Sequence, residues 1–226
     1  EEPGEETLKN DTEKILDALE GTPEKGTLII DARDAKKVDK AVFEALKGQD
    51  KTIVFETDNA IWTFYGKDIK DAKDIDLTVT MAPIADSTSK NKNAIKNAVK
   101  NEDVLIISFS DNGMLPGKAV VRVKLDEEWL KGKDKNNLHV YYYNTSTEKV
   151  EVIAKKLKVD AEGYVEFTIT KNSDYFIADK DLQETGVLPK TGSENAMNTI
   201  LPLSMILVLG GVSLLLFEKK RLVKKA

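Results

Sequence analysis

Cysteine is missing from this 226-residue chain, and with it disulfides, thiolate metal sites and a cysteine nucleophile. An exported protein that manages without covalent staples is compatible with that absence. Histidine occurs once, at His139, so a Ser-His-Asp triad would have to be built on one residue of a strand-like segment. A histidine on a strand face is the plainer reading. No phosphate-cradling glycine loop is present, since "GKD" and "GKA" lack the companions such a loop needs. No initiator methionine precedes Glu1 and no basic-then-apolar leader follows it, so the chain is expected to be a mature segment or a fragment of something longer.

Acids are plentiful, at 39 against 34 lysines and arginines, for a net charge of −5. None of the 39 is singled out as a hydrolytic pair, and as a population they read as solvated surface. "DAKDID" sets Asp71, Asp74 and Asp76 near calcium-ligand spacing, but without the glycine and closing glutamate of a calcium loop these read as exposed turn acids. The expectation is therefore no metal, no cofactor and no catalysis. The charge is also uneven. The last nine residues, "EKKRLVKKA", carry net +4, so the body before them carries −9. An acidic body excludes nucleic acid as the natural partner, because phosphate binding needs a basic face.

Ahead of the basic tail, "ILPLSMILVLGGVSLLLF" at 200–217 runs 18 residues without a charge. As a helix it would reach roughly 27 Å, close to the ~30 Å hydrocarbon core of a bilayer. A buried core helix would keep a polar stripe and would not run straight into "EKKR". A transmembrane helix is expected, with Lys219, Lys220 and Arg221 as its cytoplasmic stop and the preceding residues facing outward.

Separated from that span by seven residues stands "LPKTG", Leu188, Pro189, Lys190, Thr191 and Gly192. Pro189 fixes its own φ and pushes Leu188 toward extended geometry. In order and spacing, the pentapeptide, apolar span and basic tail resemble the cell-wall sorting signal of Gram-positive surface proteins, over residues 188–226 only. The resemblance implies a membrane-bound sortase as partner and the Thr191–Gly192 bond as the one cut. It further implies covalent attachment of Thr191 to peptidoglycan, a transient membrane stage, and residence in the cell wall at the cell surface. A long Pro/Ser/Thr-rich wall-spanning stretch, common in such proteins, is not there; residues 181–187 are the only linker before the motif.

Upstream, an α+β, β-dominated fold is expected. Residues 1–25 read as an acidic linker or the edge of a preceding module, with one short helical pattern at Ile15, Leu16 and Leu19. Residues 26–84 read as a small mixed α/β region: strands "TLIIDA" and "TIVFET", a helix between them capped by Asp34, and a hairpin turning at Asp58-Asn59. Residues 85–180 alternate with period two, as in Leu105/Ile107/Phe109, Val121/Val123/Leu125, Val150/Val152 and Val165/Phe167/Ile169. The clusters "SDNG", "NTSTE", "DAEG" and "KNSD" divide that pattern, predicting a β-sandwich-like domain of six or seven strands. The segments "VYYYNTSTEKVEV" and "GYVEFTITKNSDYFI" also look like non-catalytic modules near the anchors of such surface proteins. Tyr141 and Tyr143 share a strand face, where they either pack in the core or offer a platform for stacking on glycan. The expectation is thus a non-catalytic, wall-proximal stalk module. Its rivals are a glycan- or host-protein-binding adhesin module and a pilin-like domain with a Lys–Asn isopeptide crosslink.

Overall fold

The structure is a computed structural model in which residues 8–183 and 186–188 are described. The chain runs β1 (Leu8–Lys9), α1 (Thr12–Gly21), β2 (Thr27–Asp31), β3 (Lys37–Val38), α2 (Lys40–Leu46), β4 (Thr52–Glu56) and β5 (Ala60–Ile69). It continues through β6 (Ile75–Asp76), β7 (Val79–Pro83), α3 (Lys92–Ala98), β8 (Leu105–Lys124), β9 (Leu138–Asn144), β10 (Lys149–Leu157) and β11 (Tyr164–Ala178). Strand dominates, as expected. The arrangement differs from a separate mixed region followed by a sandwich: nine strands form one hydrogen-bonded sheet, ordered β1-β2-β4-β5-β8-β11-β9-β10, with β7 also on β8. Strands from 26–84 and strands from 85–180 therefore lie in the same sheet, joined where β5 pairs with β8.

Two strands organise that sheet. The second part of β8, Ala119–Lys124, pairs with β5 on one side and with Tyr164–Ile169 of β11 on the other. Its first part, Leu105–Phe109, pairs with β7 and with Asp174–Ile177 of β11, which in turn pairs with β9. Between the two parts the register breaks twice. Residues 115–118 of β8 stand against Thr170 alone, and residues 109–112 against Ser173 alone. Asp111 (φ 57°) and Gly113 (φ 147°) supply the left-handed backbone such bulges need. Pro116, unable to donate to a ladder, sits in a bulge where only its carbonyl is used, accepting from the N–H groups of Lys70 and Asp71. "SDNG" and "KNSD" are thus not turns. They face each other inside two long strands, Asn172 opposite Gly113, so the 85–180 segment yields four strands where six or seven were expected.

The parallel steps β1–β2 and β2–β4 are bridged by α1 and α2, as parallel neighbours require. Asp11 caps α1 by accepting from the Lys14 N–H at 3.2 Å, and α1 buries Ile15 and Leu19. Residues 8–25 are accordingly part of the fold, not a linker, because leaving those two side chains in water would expose apolar surface. Helix α2 starts later than expected. Its cap is Asp39, not Asp34, with Asp74 accepting from the Lys40 N–H at 2.7 Å and residues 37–38 spent on β3. The hairpin at 58–59 forms as read, Thr57 and Ala60 closing it.

Both parts of the sheet feed one buried cluster. Trp62 on β5 meets Phe109 at 5.3 Å, Phe109 meets Tyr175 at 5.4 Å, and Tyr175 meets Tyr142 at 5.3 Å, so aromatic contacts run from one part to the other. Burial pushes the Tyr175 hydroxyl up, and that hydroxyl donates to the Lys171 carbonyl at 2.8 Å. A second cluster lies on the other face of β8, β9 and β11. Ile106, Tyr141, Tyr143 and Phe176 meet Ile95 and Val99 there.

The β1 edge is held by charge. Asp31, 2% exposed, accepts from Arg33 through Nε (2.9 Å) and Nη2 (2.8 Å), from the Arg33 N–H (3.1 Å) and from Lys9 Nζ (2.6 Å). The Arg33 guanidinium, then Lys9, hold its carboxyl well below the usual carboxylate range. A depressed carboxylate contributes stability that is complete above the unfolded pKa of about 3.9 and fades as pH falls toward the folded value. Urea unfolding across a pH series should therefore show stability falling below about pH 4. Asp31→Asn should be less stable at neutral pH and should lose less over the acid range; an unchanged acid slope would refute the assignment.

Candidate functional site

Of the residues singled out in the sequence, Pro189, Lys190, Thr191 and Gly192, the basic stop Lys219, Lys220 and Arg221, and the span 200–217 lie outside the described residues. Among the described residues no helix is long and apolar enough to cross a membrane. The described residues belong to one compact unit.

Leu188 is the motif residue that the structure places, and it is not presented. It is 7% exposed and belongs to the second cluster with Tyr141, Tyr143 and Phe176. The linker expected at 181–187 is likewise packed onto the domain over its described residues. Leu182 is fully buried, and its N–H donates to the Tyr141 hydroxyl at 2.9 Å. Asp181 meets Lys155 at 2.8 Å and accepts from the Gln183 N–H at 2.9 Å. Gly186, at φ 73°, turns the chain back so that the Leu188 N–H reaches the Leu182 carbonyl at 2.8 Å. The Lys100 ammonium donates to the Gly186 carbonyl at 3.1 Å.

This packing corrects the glycan-platform reading. Tyr141 is fully buried and Tyr143 is 7% exposed, with Tyr141 stacked on Phe176 at 5.2 Å. A ring that already has a partner on its face offers no surface for a sugar. His139 is also buried, its Nε2 placed 3.1 Å from Asn137 Oδ1 on the strand where it was expected. Asp74 and Asp76 are engaged as caps, accepting from the Lys40 and Thr78 N–H groups.

Sequence reasoning passed over a polar cleft of about 740 Å³ at the strand bulges. Its floor is Asp174, 9% exposed, which accepts from Ser89 Oγ (2.6 Å) and Asn91 Nδ2 (2.7 Å) on one oxygen and from Ser108 Oγ on the other. Asn172 donates across the bulge to the Ser110 carbonyl at 2.7 Å. Tyr142 lines the cleft but is roofed by the Lys171 ammonium, 3.9 Å from its centroid. With three donors on its two oxygens, Asp174 ties the segment before α3 to β8 and β11. Those bonds take up three of the carboxylate's roughly four lone-pair positions. The signal was present as "SDNG" and "KNSD", but polar clusters between alternating runs read as turns before their cross-strand pairing is known.

No protein-family model, curated protein or solved structure matches this chain.

Asp174→Ala should strand the Ser89, Asn91 and Ser108 donors and cost about 1–3 kcal/mol of unfolding free energy. Denaturant unfolding checks it. A change within a few tenths of a kcal/mol would mean the cleft is held open by other contacts.

Proposed function

We propose that this chain is a non-catalytic, wall-proximal stalk module of a Gram-positive surface protein, attached to peptidoglycan through Thr191 by a sortase. The observation that carries the reading is the order of three elements: LPKTG at 188–192, an uncharged 18-residue run at 200–217 and a basic tail at 218–226. Each has a physical task. The apolar run spans the bilayer as a helix, the tail stays on the cytoplasmic side, and the seven residues between Gly192 and Ile200 hold the motif within about 23 Å of the membrane.

The reaction is an acyl transfer. The sortase thiolate attacks the Thr191 carbonyl carbon, the bond to the Gly192 nitrogen breaks, and that nitrogen leaves as an amine with a proton. An amine of a peptidoglycan precursor then attacks the thioester, the thiolate departs, and Thr191 is left in a new amide. Gly192 places no side chain against either step. The domain's part is mechanical. Its sheet halves share one aromatic-rich cluster and act as a sandwich-like body that carries whatever lies upstream. The burial of Tyr141 and Tyr143 favours this stalk over a glycan-binding module.

Thr191→Ala alters the residue whose carbonyl is attacked and leaves the residues of the buried clusters unchanged. In a host that carries a sortase, the variant should accumulate uncleaved in the membrane fraction, whereas the wild-type chain appears in the muramidase-released wall fraction. Equal release of the two would overturn the proposal.

A further inference from the structure

The folded unit keeps the first residue of the sorting motif away from any enzyme. Leu188 belongs to the buried cluster that also holds Leu182, Tyr141, Tyr143, Phe176, Ile95 of α3 and Val99 just after it, and its N–H is spent on the Leu182 carbonyl. The contacts that hold the residues leading to it come from three places: Tyr141 of β9 on Leu182, Lys155 of β10 on Asp181, and Lys100, after α3, on Gly186. One side chain cannot fill two pockets at once. An enzyme that takes Leu188 into its own apolar pocket competes with the domain for that residue.

Resting on the reading of LPKTG as a sortase substrate, we infer that the domain gates its own attachment: the motif is competent only while Leu182, Gly186 and Leu188 are undocked from the second cluster. The undocked fraction multiplies the cleavage rate, just as a partly populated competent state lowers apparent affinity. The same docking acts on the product. Leu188 stays on the domain side of the transferred bond, so once it redocks the new amide at Thr191 is shielded from attack by the same enzyme. Folding of the module thus turns a reversible exchange into a lasting joint.

The test compares three substrates of one sortase, with a glycine oligomer as the amine: the full chain in detergent, its Leu182→Ala and Lys100→Ala variants, and the free peptide "GVLPKTGSEN". The peptide should turn over about tenfold or more faster than the wild-type chain, and both variants should move the chain several-fold toward the peptide. Hydrogen exchange at the Leu188 amide should be slow in the wild type and faster in the variants. Circular dichroism shows whether the sheet is intact. Should Leu182→Ala unfold the sheet, Lys100→Ala decides, since that lysine is exposed. If peptide and wild-type chain are cleaved equally fast, or exchange at Leu188 quickens without any gain in cleavage, the gate is refuted and the sorting reading stands. If the peptide itself is not cleaved, the sorting reading fails and the gate falls with it.

Discussion

The antiparallel pairing of β8 with β11, and its two breaks in register around Gly113 and Asn172, fixes almost everything else in this domain. A flat sheet of nine strands would leave one whole face in water, and strongly twisted sheets avoid this by curling. Here the surplus residues at 109–112 and 115–118 are absorbed by β8 alone. Bulges of this kind bend and twist a strand locally. As a result, residues on both sides of the break, Val121, Val123 and Phe167 on one and Ile107, Phe109 and Tyr175 on the other, reach a common cluster. The same break opens the cleft over Asp174, whose three donors tie the segment before α3 to the bent strands. That segment leads into α3, and α3 forms one wall of the second cluster, in which Leu188 is packed.

Local signals in the sequence translated well. The alternations at 105–109, 121–125 and 165–169 are buried on one face as read, and the hairpin at Asp58-Asn59 closes. What failed was inference across the chain. "SDNG" carries the residue types of a turn, and nothing within it says that "KNSD", some sixty residues later, lies opposite it in a ladder. Asp34 and Asp39 are chemically equal as caps. Only the β3–β6 pairing, which takes up Lys37 and Val38, selects the second. The helical pattern at Ile15, Leu16 and Leu19 was legible within the acidic residues 1–25, but not that Ile15 and Leu19 join the core beside α2 and β2, which only the folded state shows.

The end of the domain shows the same division. The proposed anchor signal is local, a pentapeptide with one proline, an uncharged run and a basic tail, and it is proposed from their order and spacing. Whether Leu188 is presented depends on Tyr141, Phe176 and α3, residues well separated from it along the chain, and the sequence alone suggested an open linker. The observed burial of Leu188 and the proposed anchoring make opposite physical demands on one side chain, since burial holds it in the domain and the proposed reaction needs it outside. That opposition ties the fold of the module to the chemistry at its end.

The central claim is the covalent joint at Thr191, and the chemical identity of the mature C-terminus tests it most directly. Mass spectrometry of muramidase-released protein should find a terminal peptide that ends at Thr191 and bears a wall-peptide amine in amide linkage. Mature surface chains that retain Gly192 through Ala226 would contradict the account and leave only an ordinary membrane anchor.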